Sequence, residues 1–258
     1  MAKKAAKSAT GAIRVGIGGW TFEPWRGVFY PADLVQRREL EFASRALSSI
    51  EINGTYYSSF KPDSWRKWRD ETPDGFVFSV KASRFCTNRK VLGQAGDSVA
   101  KFLNQGLTEL GDKLGPINWQ FMGTKKFEAE DFAAFLDLLP AELDGVPLRH
   151  AVEVRHQSFA TQAFYDICAA HNVAIVYAKT EEEDERWPEI DEPTADFTYA
   201  RFMSSHEHLE VGVTDEELNG YAQQTHAWAK RGDVFAYFIA GAKVRNPAAA
   251  RALIAKLT

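Results

Sequence analysis

Glu153 and Arg155 are two charges set two residues apart in the run Arg149–Phe159, which otherwise reads as a buried strand through Ala151, Val152 and Val154. Side chains two apart on a strand share a face. If that face lines a closed sheet, both charges stand where Val or Leu would cost less, so they form a structural ion pair or part of a site. His156, Gln157 and Ser158 follow at once, with Ser158 suited to cap the helix pattern after it. The same alternation, applied to every strand-like run, collects a polar face of Glu51, Asn53, Lys81, Gln120, Glu153, Arg155, Lys179 and Arg201. Lys81, Arg155, Lys179 and Arg201 outnumber the two carboxylates, so the fitting ligand is a small anion, phosphorylated compounds included. Arg155 and Arg201 suit bidentate contacts to it. Glu51 and Glu153 are the candidate proton carriers, and Arg155 beside Glu153 favours the ionised form a base needs. His156 is the third candidate, its other reading being a cap or an orienting group. Such chemistry belongs to a hydrolase, a lyase or an isomerase.

Other chemistries have less behind them. No HExxH or comparable spacing marks a metal site, and no cofactor is read from the sequence. His206-Glu-His208 reads as a solvated loop. No G-x-S-x-G elbow exists, and Gly18-Gly19 alone is a faint phosphate signal. Trp20, in the Gly- and aromatic-rich segment after the first strand, could line a pocket with Asn53, Lys81, Gln120, Arg155 and Arg201, or could simply pack.

The elements that must position these residues can be read in order. Strand patterns cover 13–18, 48–53, 76–81, 116–121, 149–154, 173–179, 197–203 and 233–239. Helical patterns start at Pro31 and cover 62–71, 97–114, 128–139, 158–171, 214–230 and 247–257. Thr214-Asp-Glu-Glu217 is a capping box, with Gly232 placed to end its helix. The acidic stretch near 181–195 has no apolar period, which predicts an irregular segment in place of a regular sixth helix. Eight strand runs alternating with helical ones predict a single α/β domain over 12–258, a TIM-like (β/α)8 barrel. An open doubly wound sheet is disfavoured by the lack of a strand–GxGxxG–helix unit. Every polar-face residue lies near the C-terminal end of its strand, where barrels build their sites.

Composition narrows the partners. The formal net charge is -4, with 26% charged and 45% hydrophobic residues, which excludes a wholesale nucleic-acid coat. The charge is uneven: residues 61–101 carry nine Lys/Arg against five acids, while 181–192 hold eight acids and Arg186. Residues 1–11 read as a disordered basic tail. Cys86 and Cys168, far apart and without CxxC spacing, predict a reducing, cytoplasmic setting, and no apolar run is long enough for a membrane partner.

Several stretches resemble the YecE-like family, domain-of-unknown-function family 72. They are Gly16-Ile-Gly-Gly-Trp-Thr, Trp25-Arg-Gly-Val-Phe-Tyr-Pro31 and Glu51-Ile-Asn-Gly-Thr-Tyr-Tyr. Thr72-Pro-Asp-Gly-Phe-Val-Phe-Ser-Val-Lys-Ala-Ser-Arg84, Leu114-Gly-Pro-Ile-Asn-Trp-Gln120, Arg149–His156 and Ala195-Asp-Phe-Thr-Tyr-Ala-Arg201 complete the set. The resemblance implies a TIM-barrel-like fold and brings no reaction. Three places depart from the family pattern: Asn88 where His is usual, Phe121-Met-Gly where Leu-Pro-Pro is common, and Ile239-Ala-Gly-Ala-Lys243 where a polar Asn-Asn-Asp-like run is expected. The leading expectation is an enzyme for a small anionic compound. A non-catalytic binding or sensing barrel is the second, and a metal-dependent phosphodiesterase holding nucleic acid on the basic 61–101 region the third and less favoured.

Overall fold

The computed structural model describes residues 10–180 and 188–258. The expected basic tail thus lies almost wholly outside the described residues, though Gly11 is already tied down, its N–H donating to the Ala229 carbonyl at 2.8 Å. Nine parallel strands form the sheet: β1 (Ile13–Gly18), β2 (Ser49–Ile52), β3 (Val77–Lys81), β4 (Leu114–Gln120), β5 (His150–Glu153), β6 (Ala174–Ile175), β7 (Tyr177–Lys179), β8 (Phe197–Phe202) and β9 (Asp233–Phe238). β6 and β7 are two halves of one strand path interrupted at Val176. β6 pairs with β5, and β7 pairs with β8, so this split path joins the two ends of the sheet. The result is the expected eight-fold barrel.

The helices are α1 (Glu39–Ala46), α2 (Pro62–Glu71), α3 (Arg84–Thr87), α4 (Gly96–Leu103), α5 (Ala129–Leu136), α6 (Gln162–Ala170), α7 (Asp215–Ala229) and α8 (Asn246–Leu257). Several differ from the sequence patterns for local reasons. The pattern over 97–114 breaks after Leu103, where Gly106 takes φ 108° against Pro62 and Trp65, and the chain resumes as a 3-10 helix over Leu107–Lys113. The pattern from Pro31 becomes helical only at Gln36, as a 3-10 turn leading into α1. α6 begins at Gln162 with Thr161, not Ser158, as its cap. The capping box at Thr214 and Glu217 is formed as expected. Residues 188–195 run without helix or strand, while 181–187 lie outside the described residues.

Strand alternation divides the side chains into two populations. Ile17, Ile50, Phe78, Val80, Ile117, Trp119 and Val152 face outward into the main core between sheet and helices. Val77, Ala151, Ala174, Val176, Phe197, Tyr199, Phe235 and Tyr237 face inward as a smaller apolar cluster. The N-terminal end of the barrel is stoppered by Arg149, whose guanidinium lies 4.7 Å from the Phe235 ring centroid and 2.9 Å from Asp233 Oδ2. Above it, Tyr237 OH contacts Ser49 Oγ at 2.7 Å and Ser79 Oγ at 2.5 Å. Between that ion pair and the C-terminal mouth, the barrel is filled by apolar and neutral layers.

Candidate functional site

One more step along β2, β5 and β8 brings Glu51, Glu153 and Arg201 inward, all essentially buried. Arg201 bridges the two carboxylates: Nη1 donates to Glu153 Oε2 at 2.6 Å, and Nη2 reaches Glu51 Oε1 at 3.2 Å. Tyr199 OH donates to the other oxygen of Glu51. Glu153 Oε1 receives Arg155 through Nε at 3.0 Å and Nη2 at 2.7 Å, and Asn118 Nδ2 donates to Oε2 at 3.1 Å. The buried charges are therefore paired, as burial demands.

The electrostatics follow from this packing. Burial alone would push the Glu153 carboxyl up, but Arg201, Arg155 and Lys81 together outweigh it and hold it down at about 2. Arg201 is held more firmly protonated by Glu153 and Glu51 than burial loosens it. Lys81, at the end of β3, is the reverse case. Burial first and the Arg201 charge second bring its ammonium down to about 8, against a weaker pull from Glu153 and Glu51. Its Nζ sits 4.7 Å from the centroid of the Tyr56 ring. The strand end that carries it is fixed by Thr55 Oγ1, which donates to the Lys81 carbonyl at 2.6 Å.

Above the charges opens a cleft of about 330 Å³, lined among others by Gly18, Asn53, Lys81, Arg201, Lys243 and Asn246. Among the described residues, three of its lining side chains are cations and none is an acid. Gly18 belongs there for steric reasons, since a Cβ at that position would sit 2.7 Å from Asn53 Nδ2. Asn53 Oδ1, Asn118 Oδ1, Gln120 Oε1 and Arg201 Nε are buried without a hydrogen-bond partner among the described residues. Of these residues, Asn53 and Arg201 line the cleft.

The sequence candidates divide accordingly. Glu51, Glu153, Arg155 and Arg201 form one bonded network. Lys81 and Asn53 line the cleft above it, and Gln120 pairs in register with Glu153. Trp20 does not join them. Its ring packs edge-on against Trp68 at 5.2 Å and Phe78 at 6.2 Å, on the helix side of the sheet, because the chain turns outward after Gly18. His156 is spent locally: its Nδ1 lies 2.9 Å from Ser158 Oγ and accepts from Ser158 N at 3.1 Å, capping the turn over Gln157–Phe159. Lys179 points outward, its Nζ 5.4 Å from the Tyr221 ring on α7, since Ala174, Val176 and Ala178 take the inward positions of that path.

Sequence reasoning passed over Asn118, Tyr199 and Lys243 as site residues. The first two sit in phase with the polar face of their strands. Lys243 opens a 3-10 turn over Lys243–Arg245, where no strand periodicity points to the cleft. The three departures from the family pattern also find places. Asn88 Nδ2 donates to Tyr56 OH at 3.3 Å, Phe121 is buried against Phe159, and Ala240 and Gly241 turn through φ 64° and 52° to bring Lys243 to the cleft. Much of the basic 61–101 region is occupied in holding the fold. Arg66 pairs with Asp63 and Glu109, and Arg89 donates to the Phe85 and Gln94 carbonyls and to Ser98. No helix among the described residues is long and apolar enough to cross a membrane.

Comparison with known proteins agrees with the barrel. A DUF72 family protein of Thermotoga maritima MSB8 superposes with a TM-score of 0.74 at 23% identity, covering 94% of this chain and 97% of that one. A second, from Enterococcus faecalis V583, gives 0.69 at 16% identity, covering 96% and 99%. SacUVDE shares the fold more distantly, at 0.56 and 10% identity over 94% of this chain and 97% of that one. The UPF0759 protein YecE of Escherichia coli K12 is 29% identical over 150 residues, 57% of this chain and 50% of that protein, so the match spans half the length of this curated relative. The model for the protein of unknown function DUF72 matches residues 14–258, and the chain belongs to that family.

Proposed function

We propose that the protein is an enzyme acting on a small anionic compound, phosphorylated ones included, in the cleft at the C-terminal mouth of the barrel. The observation that carries this reading is the cleft lining: Lys81, Arg201 and Lys243 face it, with no carboxylate among the described residues. Arg155 adds to the positive field from behind Glu153, and Asn53 and Gln120 supply amides to orient the substrate. Glu51 and Glu153 hold Arg201 and Arg155 in place, with Glu153 already accepting four hydrogen bonds. The proton-carrying group suited to neutral pH is then Lys81, brought down to about 8. Cys86 and Cys168, both buried and unpaired, fit a cytoplasmic home.

Thermal unfolding against a panel of phosphate and carboxylate anions tests the reading. An anion at about 100 times its Kd stabilises the native state by about 2.7 kcal/mol, a rise of roughly 5–10 °C for a domain of this size. The expected result is such a rise in the wild type and a smaller one in Lys81→Ala. A panel that leaves the wild-type midpoint unmoved overturns the reading. Binding without turnover of the bound anion converts the enzyme into a sensing barrel built on the same cleft.

A further inference from the structure

We propose that Lys81 is a nucleophilic amine that forms an imine with the carbonyl carbon of a small anionic 2-oxo compound. This rests on the anion-binding reading of the cleft and goes beyond it by naming the reacting atom and the substrate class.

The chain contains its own control. Lys113 is also buried, and its ammonium is fully employed: it donates to the Arg69 and Thr72 carbonyls at 2.7 Å each and to Thr72 Oγ1 at 3.2 Å. That is what a structural lysine looks like. Lys81, partly withdrawn from solvent, makes no hydrogen bond or ion pair among the described residues, and its ammonium rests 4.7 Å from the centroid of the Tyr56 ring. The nearest charges that could have satisfied it, Glu51 and Glu153, are already taken by Arg201, Arg155, Tyr199 and Asn118. A lysine desolvated beside another fixed cation is the arrangement that frees an amine for attack on carbonyl carbon.

The remaining lining supplies the rest of the recognition. Lys243 Nζ, 4.3 Å from the Phe22 ring centroid, has no acceptor among the described residues, and neither does Arg201 Nε. These two donors seat the carboxylate, and the orphaned Asn53 amide oxygen is placed to accept a hydrogen bond from the hydroxyl that forms when the amine adds. The Lys81 nitrogen lone pair then bonds to the carbonyl carbon, and the carbonyl electron pair moves to oxygen, which takes up a proton. The carbinolamine loses that oxygen as water and the nitrogen its second hydrogen as a proton, leaving a carbon–nitrogen double bond. One amine and one carbonyl become one imine and one water, with no oxidant or reductant required. Lowering the ammonium from 10.5 to about 8 raises the free-amine fraction at pH 7 about 300-fold.

The test is borohydride trapping on the full chain. Wild-type protein is incubated at pH 7 with pyruvate or with glyoxylate, reduced, digested and mapped by mass spectrometry. The peptide holding Lys81 should carry the reduced adduct about tenfold or more above any other lysine, a modest part of the free-amine advantage. Lactate, which has the carboxylate but no carbonyl, should suppress that adduct. Lys81→Arg, whose guanidinium is no nucleophile at pH 7, should lose the adduct. Labelling of Lys81 no greater than that of exposed lysines overturns the inference. If anions raise the wild-type midpoint while Lys81 stays unlabelled, only the imine is refuted. If neither happens, the anion-binding reading falls with it.

Discussion

The Glu153 network makes a quantitative statement about acid stability. A carboxyl held at about 2 in the folded protein against 4.5 when free favours folding once it is ionised. At about 1.36 kcal/mol per pH unit, the difference amounts to about 3 kcal/mol above pH 5. The sign follows from the depressed folded value: the contribution is full above 4.5 and disappears as pH falls towards 2. Glu153 is wholly buried, so solvent screening takes little from it. Replacing it with Gln keeps the volume but leaves Arg155 and Arg201 each short of an anionic partner, a buried-pair loss of about 3–5 kcal/mol. The assay is urea unfolding of wild type and Glu153→Gln in steps from pH 7 to pH 3. The two stability curves should lie about 3 kcal/mol or more apart at pH 7 and converge on acidification, because other carboxylates titrate alike in both proteins. Parallel curves, with the same gap at every pH, would show that Glu153 does not titrate as its surroundings demand, and the account of the network would fail.

Two further predictions concern the frame around the site. Gly16 pairs with Ser49, and a Cβ there would lie 1.8 Å from the Ser49 carbonyl oxygen, so Gly16→Ala must push β1 from β2. A loss of about 3 kcal/mol or more is expected, lowering the midpoint by roughly 10 °C, and a melting curve within about 2 °C of wild type refutes the close approach. His150, buried under Trp119, accepts from the indole N–H through Nδ1 at 3.1 Å and faces the Pro140 carbonyl through Nε2 at 2.8 Å. Burial brings it to about 4, so it should remain neutral at pH 5.5 by NMR and cost stability as pH falls from 6.5 to 4, where the unfolded chain alone takes up the proton. A titration midpoint near 6.5 would contradict that environment.

Alternation carried most of the site across from sequence to structure. Glu51, Lys81, Glu153 and Arg201 face inward in phase with Ser49, Ser79, Ala151 and Tyr199 on their own strands, and the phase alone reveals this. It failed at Lys179, where the inward positions are the unremarkable Ala174, Val176 and Ala178 and the conspicuous lysine lies in the outward phase. Trp20 and His156 stand beyond the ends of their strands, where the direction of the next bond is set by turn geometry and not by any period. Helix ends were misread for a similar reason: Gly106 stops a continuous apolar period through its backbone angle, which composition alone does not disclose. Lys243 reached the cleft through two successive positive-φ residues, Ala240 and Gly241, a path no pattern encodes.

The Arg201 bridge also bears on how the chain can be divided. Glu51 comes from the first half of the sequence, Glu153 and Arg201 from the second, and their bonds cross the barrel bore. A fragment ending before β5 would bury a carboxylate whose cation lies on the missing piece, and the complementary fragment would carry Arg155 and Arg201 against one acid. Neither piece is electrostatically self-sufficient, and each holds what the other lacks. Split between β4 and β5, the two halves should therefore be mutually obligate: poorly ordered apart, and able to find the correct register together because only one alignment joins the charges.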